Sequence, residues 1–236
     1  MQTIPLANLA LTFLPVGIVI FILHRWSLGS GTASYSVLRM LVQLLLIGYV
    51  LTYIFETDRS LVVLAILVVM LVVSSWISLR PLARKNRSIY LRVLFSISAG
   101  GVTTLALIST AVLSLDPWFA PNIMIPLAGM IFANAMNTVS VAAERFECEC
   151  TVVDYQLARS RAMKASMIPV INSMFAVGLV SLPGMMTGQI LSGVDPLIAV
   201  RYQIMVMCMI FGSAGISAAC YLWMMKQEVL EDKTRP

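Results

Sequence analysis

Two thiols and three carboxylates stand within one short stretch, Glu144-Arg145-Phe146-Glu147-Cys148-Glu149-Cys150. Thiolate with carboxylate is a donor set for a soft or borderline metal ion. The Cys-x-Cys spacing is by itself a weak signal, and no histidine accompanies it. The single histidine, His24, lies near the other end of the chain. The competing reading is an acidic turn carrying two reduced thiols. Cys148 and Cys150 are therefore weak metal candidates. Cys208 and Cys220 fall inside an apolar run and read as packing residues.

A second group carries amides and hydroxyls. Asn134, Asn137 and Thr138 recur at i, i+3, i+4, the spacing of one helix face. Their surroundings are apolar, so that face needs partners. It either lines a translocation path or hydrogen-bonds another helix. A third group surrounds a break. Gly178-Leu-Val-Ser-Leu-Pro-Gly-Met-Met-Thr-Gly-Gln-Ile190 lies between two long apolar segments. Proline has no amide proton and glycine no Cβ, so a helix arriving through Val177 and Val180 is expected to break at Leu182–Gly184. In hydrocarbon a broken backbone is tolerated only where protein or a watery cavity satisfies it, and transporters place such breaks at substrate sites. The alternative is an ordinary turn at the membrane surface. Path candidates are accordingly Pro183, Gly184, Met185, Met186, Thr187 and Gln189, with Gln203 in the last apolar run. Gln43, in an early run one turn beyond Arg39, is either another path residue or a helix–helix hydrogen bond. Met205 and Met209 share a face and could meet a soft metal, but methionine more often fills gaps between helices.

Several kinds of machinery are missing. No GxxxxGK[ST] occurs, so no nucleotide is bound through a P-loop. No HExxH and no nucleophile elbow occurs, so neither zinc-protease nor esterase chemistry is expected. No Asp or Glu stands in the middle of an apolar run, where ion-driven carriers keep one. The chain is not expected to be an enzyme or to bind a cofactor itself. If transport is uphill, a partner must use the ATP.

The elements that must position these residues follow from composition. Of 236 residues, 59% are hydrophobic and only 11% charged, with a mean hydropathy of +0.91. Soluble domains carry roughly 25% charged residues. Seven apolar runs appear: Leu6–Leu23, Val37–Phe55, Leu61–Leu79, Leu94–Leu115, Ile123–Ala143, Met167–Leu182 and Val200–Met224. A spanning helix needs about 20 residues. The expected fold is all-α, a polytopic transmembrane bundle of about seven spanning helices forming a single domain over residues 1–236. The first run has no basic residues before it and His24-Arg25 after it, so it reads as a reversed signal-anchor, not a cleaved signal peptide.

Charge sets the orientation. Fourteen of the sixteen Lys and Arg fall on one side of this alternation, leaving only Arg59 and Arg201 opposite. The positive-inside rule then places the N-terminus outside and the C-terminus in the cytoplasm. The formal net charge of +5 is thus a matter of topology and does not point to nucleic acid. Glu56-Thr57-Asp58-Arg59 is expected to be an outer turn. Arg80-Pro-Leu-Ala-Arg84-Lys-Asn-Arg87 is an inner basic loop suited to anionic lipid. The longest inner segment, Glu144–Ala165, ends in an amphipathic stretch, with Val153 and Leu157 set against Arg159, Arg161 and Lys164. It is either an interfacial helix or a docking element.

These residues carry a resemblance. Gly178 through Ile190, continuing through Gly193, Asp195-Pro196 and Ala199-Val-Arg-Tyr-Gln-Ile204, resembles the permease subunits of Fet-type iron-export ABC transporters, a family related to plant aluminium-tolerance membrane proteins. Arg39, Gln43 and Gly48-Tyr-Val-Leu51 fit the same family, as do Ile125-Pro-Leu-Ala-Gly-Met-Ile131 and Asn134-Ala-Met136. The resemblance implies a bacterial inner-membrane permease that pairs with a separate ABC ATPase, as two permeases with two ATPases, and exports metal, iron foremost. The stretch between Met136 and Gly178 is shorter than in that family and lacks its Leu-x-Leu-Gly-Ala coupling element. Tyr155-Gln-Leu-Ala-Arg159 is the nearest substitute, making Val153, Leu157, Arg159 and Arg161 the ATPase-docking candidates. Two other readings stand beside the permease: a passive channel or carrier, and a membrane scaffold that senses metal through Cys148 and Cys150.

Overall fold

The structure, a computed structural model, describes residues 5–55 and 59–234. The expected outer turn at Glu56, Thr57 and Asp58 lies outside the described residues. The described residues are overwhelmingly helical and contain no strand beyond one isolated bridge between Val177 and Ser181. The chain falls into two compact units, Met1–Thr57 and Asp58–Pro236.

The first unit contains α1 (Leu6–Leu11), α2 (Phe13–Arg25) and α3 (Ser30–Phe55). Pro15 sits in the first turn of α2, where its missing amide proton costs least. Instead of kinking one long helix, it follows a boundary at Thr12, whose hydroxyl donates to the Leu9 carbonyl. Gly29, at φ +69°, makes the corner into α3.

The second unit holds α4 (Ser60–Ser78), α5 (Arg87–Leu107), α6 (Pro121–Glu149), α7 (Tyr155–Ala176), α8 (Gly184–Leu191) and α9 (Pro196–Thr234). A π-helical turn, Ile108–Val112, extends α5. The starts of three helices are written locally. Asn86, Asp154 and Asp195 accept hydrogen bonds from the amides of Ile89, Gln156 and Leu197, capping α5, α7 and α9. α6 and α9 form the centre, α6 against α4, α5 and α7, and α9 against α5, α7 and α8. Their contact faces are built from small residues. Ala128, Ala135 and Ala142 repeat every seven residues on α6, and Ala214 and Ala218 lie on α9, all fully buried. Gly100 on α5 lies so close to α9 that a Cβ there would stand 2.2 Å from the Ser217 hydroxyl and 2.6 Å from the Ser213 carbonyl. Gly101 meets the Phe132 ring of α6 in the same way, at 2.8 Å.

Six helices among the described residues are long and apolar enough to cross a membrane: Ala7–Arg25, Ser30–Tyr49, Ser60–Ser78, Arg87–Val112, Pro121–Glu149 and Pro196–Lys226. The sixth apolar run, Met167–Leu182, is not a continuous helix. Its first part is the second half of α7, and its last residues belong to a turn. Yet α7, the turn and α8 together accompany α6 and α9 over most of their length. At one end the Tyr155 hydroxyl donates to the Leu222 carbonyl of α9, at 2.9 Å. Halfway, Ser166 and Ser173 face the same space as Asn134 and Ile210. At the other end Met185 and Gln189 of α8 meet Met130 and Tyr202. The described residues therefore contain six helices of spanning length and one interrupted segment.

Candidate translocation path

The interruption is wider than Pro183-Gly184 alone suggests. α7 stops at Ala176, six residues before the expected break. Gly178 adopts φ +83°, in the left-handed region where a side chain is strained. Its amide donates to the Ser181 carbonyl, while the amides of Leu179, Val180 and Ser181 converge on the Ala176 carbonyl. Pro183 then acts as the extended residue preceding α8, and Thr187 bonds back to its carbonyl. Gly184 is the first residue of α8, and a Cβ there would meet nothing within 4 Å. The position that demands glycine is thus Gly178.

Two cavities flank this segment. The first, ≈ 280 Å³, lies among the end of the π-helical turn, α6, α8 and α9. Met130, Met185 and Met205 bring three thioethers to it from three helices, and Asn122, Gln189 and Tyr202 bring polar groups. The Gln189 side-chain oxygen is buried without a hydrogen-bond partner. Pro126 also lines the cavity; without an amide proton it leaves the Asn122 carbonyl one turn back unpaired within the helix. The second cavity, ≈ 150 Å³, is lined by Asn134, Asn137 and Thr138 of α6, by Ser166, Pro169 and Ser173 of α7, and by Ile210 of α9. Asn134 donates its side-chain amide to the Met130 carbonyl, and Thr138 donates to the Asn134 carbonyl. Gln203 is 6% exposed, stands on α9 between Tyr202 and Met205 of the first cavity's lining without lining it, and its side-chain oxygen also has no partner. Unpaired buried amides cost about 1–3 kcal/mol each. Such groups belong where water or a passing ligand can engage them.

The structure places five of the eleven path candidates on the walls of the two cavities. Asn134, Asn137 and Thr138 line the second cavity, and Met185 and Gln189 line the first. Pro183, Gly184, Met186 and Thr187 are in or beside α8, near that first cavity, without lining it. Gln43 belongs to the first unit, where it is exposed on α3. Ser140, on the same helix as the asparagines, does different work. It donates to the Ser78 carbonyl of α4, and Ser78 donates to the Met136 carbonyl, so this pair binds α4 to α6. Met205 and Met209 part company as well, Met205 in the first cavity and Met209 buried in the core. Sequence reasoning missed Asn122, Ser166 and Ser173. The last two were legible as hydroxyls seven apart, flanking Pro169 on one helix face.

The 144–161 corner closes the other end. Glu149, largely buried, bridges Arg145 at 2.5 Å and Arg161 at 2.7 Å. Glu147 accepts from the backbone amides of Ala83 and Arg84 and so holds the basic loop. Two of the three carboxylates beside Cys148 and Cys150 are therefore engaged elsewhere. The third, Glu144, accepts a weak contact from the exposed Cys148 thiol at 3.7 Å. Among the described residues no group of three or more His, Cys, Asp or Glu is placed to hold a metal ion. Arg159 lies over the Tyr155 ring, 5.6 Å from its centroid, and the Phe146 and Tyr155 rings meet edge to face. Of the docking candidates, Leu157 is exposed and Val153 half-buried, Arg159 stacks on Tyr155, and Arg161 is tied to Glu149.

A bundle of long apolar helices, with small residues at their crossings and a neutral polar seam along one interrupted segment, defines an integral membrane protein. The chain belongs to UPF0014, an uncharacterised protein family, whose pattern matches residues 6–157 and 154–230. The two matches meet at the start of α7, where the sequence reads as shortened. It is 34% identical to a UPF0014 membrane protein of Synechocystis, over 73% of each chain. It is 35% identical to the probable iron export permease protein FetB of Escherichia coli, over 91% of this chain and 89% of that one. It is 34% identical to the protein ALUMINUM SENSITIVE 3 of Arabidopsis thaliana, over 80% of this chain and 73% of that one. No solved structure matches.

Proposed function

We propose that this protein is the membrane-embedded permease subunit of an ABC transporter that exports metal, iron foremost, across a bacterial inner membrane. The observation that carries the reading is its similarity to the E. coli probable iron export permease over nine-tenths of the chain. Two features support it. The chain has no P-loop and no carboxylate in mid-span to harness an ion gradient, so a separate ATPase must supply the work. Two cavities beside the interrupted segment offer neutral donors, amide oxygens and thioethers, along one side of the bundle. Two permease copies would pair with two ATPases, with the N-terminus outside and the basic ends in the cytoplasm. The docking surface is the corner preceding and opening α7, where Leu157 is exposed, Val153 is half-buried, Arg159 stacks on Tyr155 and Glu149 ties Arg161 to the end of α6.

Reconstitution tests this reading. Proteoliposomes holding the chain with its ATPase should move iron only with ATP, and iron should stimulate hydrolysis. The chain alone should accumulate none against a gradient. Uphill transport by the chain alone, driven by a proton gradient, would replace this reading with a secondary carrier.

A further inference from the structure

A groove of ≈ 610 Å³ opens between α7 and α9 at the end of the bundle away from the first cavity. Its polar side is Arg159, Ser160 and Lys164, all exposed, and none of its lining residues is acidic. Among the described residues neither Arg159 nor Lys164 takes part in an ion pair, whereas Arg161, on the next face, is held by Glu149. Stacking on Tyr155 holds the Arg159 guanidinium in place without neutralising it. The apolar side is Met163, Leu222 and the indole of Trp223, which is 67% exposed.

What lies beyond the groove names its occupant. On α7, Lys164 is followed on the same stripe by Ile168, Ile171 and Phe175, all three exposed. On α9, Ile216 stands exposed two turns from Trp223. Charge therefore gives way to hydrocarbon along a track about 16 Å long, at 1.5 Å per residue. That matches one leaflet, about half of a hydrocarbon core roughly 30 Å thick. A soluble partner could reach the charges but not the stripe. A lipid reaches both.

We propose that this groove binds one anionic phospholipid. Its phosphate sits on Arg159, Ser160 and Lys164, one acyl chain follows Ile168, Ile171 and Phe175, and Trp223 lies at headgroup level. With two uncompensated cations and no lining acid to receive an ammonium group, the site prefers phosphatidylglycerol or cardiolipin over phosphatidylcholine.

The test uses the full-length chain, delipidated in detergent and titrated with phosphatidylglycerol or phosphatidylcholine, with retained lipid counted by native mass spectrometry. Phosphatidylglycerol should be retained preferentially. The double variant Arg159→Gln with Lys164→Gln should bind it on the order of twentyfold more weakly, with phosphatidylcholine unaffected, while Leu157→Asp keeps the preference. A second measurement needs no change in charge. Tail-brominated phosphatidylglycerol should quench the Trp223 fluorescence, isolated by subtracting a Trp223→Phe variant, at lower lipid than brominated phosphatidylcholine. Equal retention or equal quenching by the two lipids overturns the proposal. So does a double variant that keeps its lipid preference but loses the ATPase, which would make the groove a protein-docking site.

Discussion

The 144–161 corner and the cavities near α8 treat buried polar groups in opposite ways. At the corner, Glu149 answers two arginines, Glu147 answers two backbone amides, and the Tyr155 hydroxyl answers the Leu222 carbonyl. Near α8, the side-chain oxygens of Gln189 and Gln203 answer nothing, and an interrupted backbone runs beside them. One bundle thus contains a satisfied end, built to hold a shape, and a seam that leaves two side-chain oxygens without partners. Satisfied networks favour rigidity, and each buried group left without a partner carries a standing cost.

That contrast can be broken at both places, and the largest effect is expected at the corner. Glu149→Ala leaves Arg145 and Arg161 without their shared carboxylate, so thermal stability in detergent should fall clearly, with Glu149→Gln falling less. An unchanged melting curve would mean that the corner holds nothing. Next comes the turn. Gly178→Val forces a β-branched residue to φ +83°, costing about 1–2 kcal/mol or more. Metal export should drop while Gly184→Ala, where a Cβ finds open space, exports normally. If the two variants behave alike, the left-handed residue is not what the segment needs. The sharpest case is Gln203→Leu. With its oxygen unpartnered, the change should stabilise the protein by about 1–3 kcal/mol while slowing export, so that stability and activity move in opposite directions. A loss of both would show that Gln203 has a structural partner. Smallest in its effect on the fold is Leu157→Asp at an exposed site. The melting curve should not move, but co-purification with the ATPase should weaken, and full retention of the ATPase would move docking elsewhere.

Much of the bundle was legible from spacing alone, because apolar runs of spanning length leave few other folds. The Asn134, Asn137 and Thr138 face was legible for the same reason, since helical periodicity places them together whatever else packs nearby. Three features were not. The ion pair of Arg161 with Glu149 joins residues on two helices across a turn, which periodicity does not relate. The boundary of the break depends on the φ of Gly178, and the sequence around Pro183 gives the stronger turn signal. The lack of a partner for Gln189 or Gln203 is a property of every neighbour at once, so no local pattern encodes it.

The interruption also bears on how the chain enters the bilayer. From Met167 to its end at Ala176, α7 offers ten residues of apolar helix, about 15 Å at 1.5 Å per residue. That is half of what hydrocarbon demands of an independent span. Preceded by Arg159, Arg161 and Lys164 and followed by a turn with exposed backbone, it has too little greasy length to leave the insertion machinery unaided. α6 and α9 carry full-length apolar stretches on either side of it in the sequence. A segment this short depends on its packing between α6 and α9 to hold its place.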